Sequence, residues 1–409
     1  MTGDPATPSW RRPATVLVAG CLIACIGFGV RSSLGLFLEP MTTAHGWNRE
    51  VFALAMAFQN LLWGMALPFA GALADKYGSV WVIVAGAVLY SAGVVGMTLS
   101  PDPLLFQFTG GVLSGVGVAF TAFSLVMAAM VRVVGPPTAH WYWGVGTAAG
   151  SLGRVVFSPL SQGFIDMFGW SDALAWLAVI ALVMIPLALA LPRDPDVPGE
   201  EGAAQTLRAA LREAIGHRGY VLLTVGFFVC GFHVAFITVH YPAYVIDLGL
   251  DPAVGAWSIA LIGAMNIIGS FASGLFGKHF SMKLGLSGIY FLRAVTITLL
   301  LFAPKTEFTI YAFAGAMGIL WLSTVPLTTG IVARVFGVRY MATLFGVVFL
   351  SHQLGSFMGV WLGGVIHDRT GSYDGMWIAG IVFGLLAALI HLPIDEKPLA
   401  RLRPAAVAS

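Results

Sequence analysis

At residues 27–40 the chain runs Gly27-Phe-Gly-Val-Arg-Ser-Ser-Leu-Gly-Leu-Phe-Leu-Glu-Pro40, the second half of an apolar run from Ala14 to Leu38. A run of this length can cross the ~30 Å hydrocarbon core of a bilayer as an α-helix. Arg31 lies inside it, and a guanidinium at bilayer depth costs at least ~2.5 kcal/mol on insertion scales. We therefore expect Arg31 to face protein or water, unless its stem carries the charge to the membrane interface.

The composition is that of a multi-pass membrane protein. The 409 residues are 58% hydrophobic and 10% charged, with a mean hydropathy of +0.87, whereas soluble domains carry about 25% charged residues. A net charge of +2 gives no indication of nucleic-acid binding. The three cysteines all fall within apolar runs, so we expect no disulfide framework, metal site or cofactor.

The hydropathy pattern predicts an all-α membrane protein with twelve transmembrane spans. The predicted bounds are 14–38, 50–74, 79–100, 104–130, 139–163, 170–191, 219–245, 253–277, 284–303, 307–332, 341–365 and 373–393. Outside the spans, only Arg49, Lys305 and Arg369 fall on the side opposite to the termini, and the other Lys and Arg residues lie with the termini. By the positive-inside rule we expect both termini to be cytoplasmic.

The chain also repeats. A shift of 202 residues aligns Arg132 with Arg334 and Gly169 with Gly371, which predicts two six-helix bundles of the same orientation. We expect an N-terminal bundle over 1–192, a cytoplasmic linker with a short amphipathic helix over 193–218, and a C-terminal bundle over 219–409. A parallel repeat of this kind places a shared site near mid-membrane, between the halves.

The segment after span two is Gly71-Ala-Leu-Ala-Asp75-Lys76-Tyr-Gly78. It resembles the Gly-x-x-x-Asp-(Arg/Lys)-x-Gly signature of the major facilitator superfamily, between its second and third helices. The resemblance implies a secondary transporter that works by alternating access, through rocking of the two halves. It also implies that Gly71, Asp75, Lys76 and Gly78 form a gate on the cytoplasmic side.

Within that superfamily, two stretches resemble the monocarboxylate and oxalate/formate branch in bacteria. They are the cation-bearing first span with its exit Phe37-Leu-Glu-Pro40, and Phe345-Gly-Val-Val-Phe-Leu-Ser-His352-Gln353-Leu-Gly355 in span eleven. The branch usually carries an Asp and Arg pair in span eight, whereas residues 257–277 here contain no charged residue. The resemblance implies a small organic anion as substrate.

Three arginines lie within the predicted spans, with no Asp or Glu well inside any of them. Buried cations without carboxylates suit an anionic substrate, and Arg binds carboxylates bidentately, which favours a mono- or dicarboxylate. Arg31 ranks first, because the resemblance implies that helices 1, 4, 7 and 10 line the cavity. Arg154 could be functional or structural. We expect Arg293, near the start of span nine, to snorkel to the interface.

Several other polar and aromatic residues in the spans are candidates. The substrate-binding candidates are Arg31, Phe120, Ser124, His233, Trp321, Thr324, Thr328, Arg154, Gln59 and Asn60. His233, His240 and His352 are the mid-span groups that titrate near neutral pH, and so the candidates for coupling a proton. Each polar candidate could instead be satisfied by a hydrogen bond within the bundle.

Other functions stay open at this point. An exporter of drugs or metabolites with the same fold is the first alternative, and a non-transporting receptor is the second. An enzyme would need a clustered nucleophile, base or metal set, and the sequence contains none. We expect a functional monomer in the lipid bilayer whose partners are a small organic anion and protons.

Overall fold

The computed structural model describes residues 13–99, 101–122, 124–127, 139–191, 206–337 and 340–402. Within these ranges the chain forms helices and no strand, and 11 helical segments are long and apolar enough to cross a membrane. The longest helix, Ala139–Leu182, has 44 residues but is interrupted at Gly169, where φ is 80° and ψ is 165°. It is therefore two spans joined at Gly169, which makes the twelve that the hydropathy pattern predicted.

We number the spans 1 to 12 in chain order. Spans 1 to 6 are Pro13–Ser33 with its extensions Leu34–Phe37 and Leu38–His45, then Arg49–Tyr77, Ser79–Gly96, the three segments Pro103–Phe106, Gln107–Leu113 and Ser114–Phe120, and the two parts of Ala139–Leu182, followed by Met184–Leu189. A linker helix, Leu207–Gly216, precedes span 7. Spans 7 to 12 are Arg218–Asp247, Pro252–His279, Met282–Phe302, Glu307–Leu320 with Thr324–Phe336, Met341–Thr370 and Asp374–His391.

Local sequence accounts for several of the helix boundaries. Asp251 caps the start of span 8, its carboxylate accepting a hydrogen bond from the Ala253 N–H at 2.7 Å, with Pro252 at the first helical position. Thr206 caps the linker helix in the same manner. At the end of span 2, Gly78 takes a φ of 87°, which an L side chain would resist.

The turn glycines show the repeat in three dimensions. Gly46 and Gly249 both have positive φ after the first span of each half, and so do Gly169 and Gly371 after the fifth. Each half also has its own hydrophobic core, around residues such as Phe37 and Tyr90 in the first and Trp321 and Trp377 in the second. The helix Leu207–Gly216 falls within the predicted linker, and residues 193–205 of that linker lie outside the described ranges.

Two spans are interrupted inside their predicted bounds. Span 10 is broken between Leu320 and Thr324. Span 4 contains a π-helical stretch, Gln107–Leu113, and its α-helix ends at Phe120; of the predicted extension, residues 128–130 lie outside the described ranges. Interruptions of this kind give a helix a local change of direction, which hydropathy does not report.

The most extensive contacts between the halves are those of span 2 with span 11 and of span 5 with span 8. Glycines permit these contacts. A Cβ on Gly364 would lie 2.8 Å from the Glu50 Cα, and one on Gly263 would lie 2.9 Å from the Ser151 carbonyl oxygen. Small residues at these positions let the backbones of the two halves approach closely.

Candidate functional site: a cavity around Arg31

Residues of spans 1, 2 and 4 line a small, partly open cavity in the N-terminal half. Its lining residues are Ala24, Gly27, Phe28, Arg31, Trp63, Val118, Thr121 and Ala122. The space measures about 20 Å³, which is room for about one water molecule. An organic substrate would require the cavity to widen, as alternation between conformations would allow.

Arg31 is the charged residue of this lining, and span 2 supplies its described hydrogen bond and its contact with an aromatic ring. Its Nη2 donates to Asn60 Oδ1, and its guanidinium carbon lies 4.6 Å from the centroid of the Trp63 ring. Asn60 in turn donates from Nδ2 to the Met56 carbonyl at 2.8 Å. The cation therefore has an aromatic face and a neutral amide as partners, which soften its burial without cancelling its charge.

Two donors at this cavity lack acceptors. Arg31 Nε and Trp63 Nε1 are both buried without a hydrogen-bond partner. Among the described residues, no carboxylate lies within ion-pair distance of Arg31. A buried donor that stays unpaired costs about 1–3 kcal/mol. The site therefore lacks an acceptor, and a negatively charged acceptor satisfies it best.

A second cation lies close by on span 5. Arg154 is 4% exposed, and its guanidinium carbon lies 5.6 Å from the Phe28 ring, which lines the cavity. Its Nε is also buried without a partner. Both cations are therefore near Phe28, because Arg31 lines the same cavity as Phe28 and Arg154 contacts the Phe28 ring. The structure thus brings three of the substrate-binding candidates, Arg31, Asn60 and Arg154, to one region.

The other N-terminal candidates lie elsewhere. Gln59 points toward span 4 and donates to the Gly110 carbonyl at 3.3 Å. Phe120 packs against Gly86 of span 3, where an added Cβ would lie 2.6 Å from the Phe120 Cβ. Ser124 is exposed. None of the three lines the cavity in this conformation.

The C-terminal candidates are buried within their own half. Trp321 and Thr328 each have an unpartnered buried polar atom, and the Thr324 hydroxyl lies 3.3 Å from Cys230 Sγ. His233 Nε2 lies 2.8 Å from the Gly380 carbonyl oxygen, facing span 12. None of these residues lines the cavity around Arg31.

The remaining histidines have internal partners. His240 Nδ1 lies 3.0 Å from the Tyr373 hydroxyl and its Nε2 lies 2.8 Å from the Val360 carbonyl oxygen. His352 Nδ1 lies 3.1 Å from Gln353 Oε1, and its ring stacks on Phe349 at 5.6 Å. Proton coupling by a histidine stays a prediction.

Arg293 does not snorkel, and that expectation was wrong. Its side chain is 0% exposed. It donates from Nε and Nη2 to the Leu320 carbonyl at 3.2 and 2.8 Å, and from Nη2 to the Trp321 carbonyl. These carbonyls are at the end of the first half of span 10, where they have no partner within the helix. Arg293 is buried because it satisfies the break in that span.

A polar cluster joins the halves at the end of the bundle opposite to the termini, which we call the far end. Arg49 at the start of span 2 makes a bidentate ion pair with Asp247 at the end of span 7, with both N–O distances 2.6 Å. The Asp368 carboxylate accepts from the backbone N–H groups of Arg49 and Glu50, at 3.0 and 2.7 Å. Arg49 also donates to the Tyr373 hydroxyl at 3.0 Å.

This far-end cluster was missed at the sequence level. Burial raises the pKa of the Tyr373 phenol above its ordinary value, so its hydroxyl stays neutral beside Arg49. Among the described residues, the ion pair that joins the two halves is Arg49–Asp247, and it belongs to this cluster. Oppositely charged residues at the ends of spans 2 and 7 were the available signal, but their pairing depends on how the halves dock.

The predicted gate lies at the other end, between spans 2 and 3. Gly78 forms the turn described above, and Lys76 Nζ lies 5.0 Å from the Tyr77 ring centroid. A Cβ on Gly71 would meet nothing within 4 Å. The Asp75 side chain lies outside the described part of the structure, so its role in gating stays a prediction.

Comparison with known proteins settles the family. The family model described as "Major Facilitator Superfamily" matches residues 20–360 and 247–408. The chain belongs to the major facilitator superfamily. It is thus a multi-pass membrane protein of a family of transporters rather than enzymes.

Its relatives include members of the superfamily from bacteria and animals. It is 24% identical to the uncharacterized MFS-type transporter YcxA of Bacillus subtilis, over 91% of this chain and 92% of YcxA. It is 25% identical to monocarboxylate transporter 11 of Mus musculus, over 97% of this chain and 90% of that protein. A solved bacterial homologue of the human lysosomal transporter Spinster has a TM-score of 0.75 at 13% identity, covering 94% of this chain and 97% of the other.

Proposed function

We propose that this superfamily member carries a small organic anion, a mono- or dicarboxylate, across the bacterial inner membrane by alternating access. Arg31 binds the carboxylate, and Arg154 contributes positive potential from beside Phe28. The proposal includes cytoplasmic termini and a functional monomer. A histidine is the candidate for coupling protons to transport.

The observation that carries this proposal is the unbalanced charge at the cavity. Among the described residues, Arg31 has one neutral hydrogen-bond partner, an unpartnered buried Nε, and no carboxylate within ion-pair distance. A carboxylate accepts two parallel hydrogen bonds from one guanidinium, which is the strongest pairing available to Arg in a protein. A cationic substrate would meet the repulsion of both arginines.

The relatives favour the same substrate class. They include monocarboxylate transporter 11 of Mus musculus and monocarboxylate transporter 13 of Rattus norvegicus, the latter 22% identical over 87% of this chain and 82% of its own length. Identity at this level supports a common fold and mechanism and leaves the substrate to be tested. The lining of the cavity supplies the independent argument.

The arrangement of the halves supports alternating access. They meet along spans 2, 5, 8 and 11 and are joined by an ion pair at the far end. Opening the far end requires Arg49 to leave Asp247, and this makes the cluster a candidate gate. We propose that the far end faces the periplasm, from the distribution of Lys and Arg.

A thermal-shift screen of the purified protein tests the substrate class. Acetate, pyruvate, benzoate, succinate and a cationic amphiphile are compared at equal ionic strength. A ligand that binds the folded state raises the unfolding temperature, and we expect this from at least one carboxylate. Arg31→Met should remove the shift, while Arg212→Met, at an exposed position of the linker helix, should retain it.

Two results would contradict the proposal. A carboxylate shift that persists in Arg31→Met would remove Arg31 from the site. Stabilisation by the cationic amphiphile alone would favour the exporter function. Uptake of the selected carboxylate into proteoliposomes, with and without a pH gradient, then shows whether transport is coupled to protons.

A further inference from the structure

The contact between Arg31 and Asn60 has a consequence for how the site accepts its substrate. Nη2 and Nε lie on the same edge of a guanidinium, and together they are the donors of one bidentate carboxylate pairing. In this structure Nη2 donates to Asn60 Oδ1, while Nε is buried and unpartnered. Half of the carboxylate-binding edge is therefore occupied by a neutral oxygen.

The orientation of the Asn60 amide is fixed by its second bond. Its Nδ2 donates to the Met56 carbonyl at 2.8 Å, one helical turn earlier in span 2. An amide nitrogen cannot accept a hydrogen bond, so the oxygen is the atom that must face Arg31. Asn60 is 2% exposed. Its Nδ2 group donates to the Met56 carbonyl and therefore does not face the guanidinium.

The face of the guanidinium is covered as well. Trp63, three residues beyond Asn60 on the same span, lies 4.6 Å from the guanidinium carbon. A planar cation covered on a face binds anions along its edges. The edge that carries Nε and Nη2 is therefore a defined point of attachment for a carboxylate.

From this arrangement we infer that Asn60 is a neutral place-holder on Arg31, which a substrate carboxylate displaces, and that its lack of charge is what selects an anion. The inference rests on the proposed function, because it concerns the same site. An acid at position 60 would supply the missing negative charge permanently. The carboxylate-binding edge of Arg31 would then be occupied by a carboxylate of the protein itself.

The decisive variant is Asn60→Asp, which changes the charge and almost none of the shape. We expect carboxylate affinity, measured by titration calorimetry with the carboxylate that stabilises the wild type, to fall by at least about 30-fold, since like charges placed together are strongly disfavoured. Asn60→Ala removes the place-holder and should keep affinity within about threefold or strengthen it, because no competing acceptor remains.

A matched control is Asn266→Asp on span 8. Asn266 is also buried, and its Oδ1 accepts from the Leu322 N–H at 2.9 Å while its Nδ2 donates to Ser151 Oγ at 2.9 Å. It makes no described contact with Arg31. A new acid at this position should lower carboxylate affinity much less than Asn60→Asp does, since it does not occupy the Arg31 edge.

A second measurement needs no substrate. In ligand-free protein, Asn60→Asp should raise the unfolding temperature, because it pairs a buried cation, and this gain should vanish in the Arg31→Met background. A gain that persists without Arg31, or no gain in the wild-type background, would overturn the inference. So would an Asn60→Asp variant that binds the carboxylate as well as wild type, or an Asn60→Ala variant that loses binding.

These outcomes separate the inference from the proposed function. If wild type binds no carboxylate while the ligand-free coupling between positions 31 and 60 is present, the substrate class is wrong and the pairing stands. If wild type binds a carboxylate through Arg31 and Asn60→Asp has no effect, the substrate class stands and the place-holder is wrong.

Discussion

Arg31 and Arg293 are both arginines within membrane spans, one in each half of the molecule, yet their surroundings differ in kind. Arg293 donates from Nε and Nη2 to the Leu320 and Trp321 carbonyls, and its Nη1 is buried without a partner. The described acceptor of Arg31 is one amide oxygen, and Arg31 borders a cavity. A cation at membrane depth therefore does not itself indicate a ligand. The two arginines differ because Arg293 pairs with backbone carbonyls at a helix break, whereas Arg31 faces a space that a ligand can enter.

The largest effect should come from removing Arg293. Arg293→Met leaves the carbonyls at the break of span 10 buried without donors, and we expect about 3 kcal/mol or more of lost stability. Arg31→Met, as its control, should leave the ligand-free protein within about 1 kcal/mol of wild type, because Arg31 satisfies only one described acceptor. Thermal unfolding in detergent measures both. Equal losses in the two variants would erase the distinction between them.

A smaller effect is expected at the far end, where Arg49 has a carboxylate partner. Its side chain is 12% exposed and that of Asp247 is 32% exposed, so water screens the pair in part. Arg49→Gln should shift the equilibrium toward a state open at the far end by about 1 kcal/mol.

Distances between nitroxide labels at Ala44 and Arg369, both exposed, report this opening. The expected result is a larger fraction of long distances in Arg49→Gln, and an unchanged distribution in Arg212→Gln. A distribution unaltered by Arg49→Gln would show that the ion pair does not hold the halves together. Arg49 would then resemble Arg293, a residue that completes the fold.

The smallest effect belongs to an exposed arginine. Arg401 pairs with Glu213 of the linker helix at 3.0 Å, with side chains 36% and 32% exposed, and donates to the Phe336 carbonyl at 3.0 Å. Arg401→Ala should cost about 0.5–1 kcal/mol in thermal unfolding, since both bonds compete with water. A loss as large as that of Arg293→Met would mean that burial is not what separates these arginines.

Much of the site was predictable because it depends on local sequence. Arg31 in an apolar run, with Asn60 in the next span, was enough to nominate both residues. Trp63 was missed, although it lies one turn beyond Asn60 and therefore on the same helix face. His233 and Trp321 were nominated from their spans. In this conformation the cavity wall comes from spans 1, 2 and 4, and which helix faces point toward it is a property of packing.

The sequence by itself determined the membrane class, the twelve spans and the parallel repeat, because hydropathy, charge placement and period are properties of the chain alone. Only the tertiary structure decided which arginine has acceptors. Arg293 finds its carbonyls 27 and 28 residues away, at a break in span 10, and Arg49 finds Asp247 198 residues away in the other half. Whether a buried charge has a partner depends on which residues folding brings beside it. Because those residues are distant in sequence, the local sequence does not indicate the pairing.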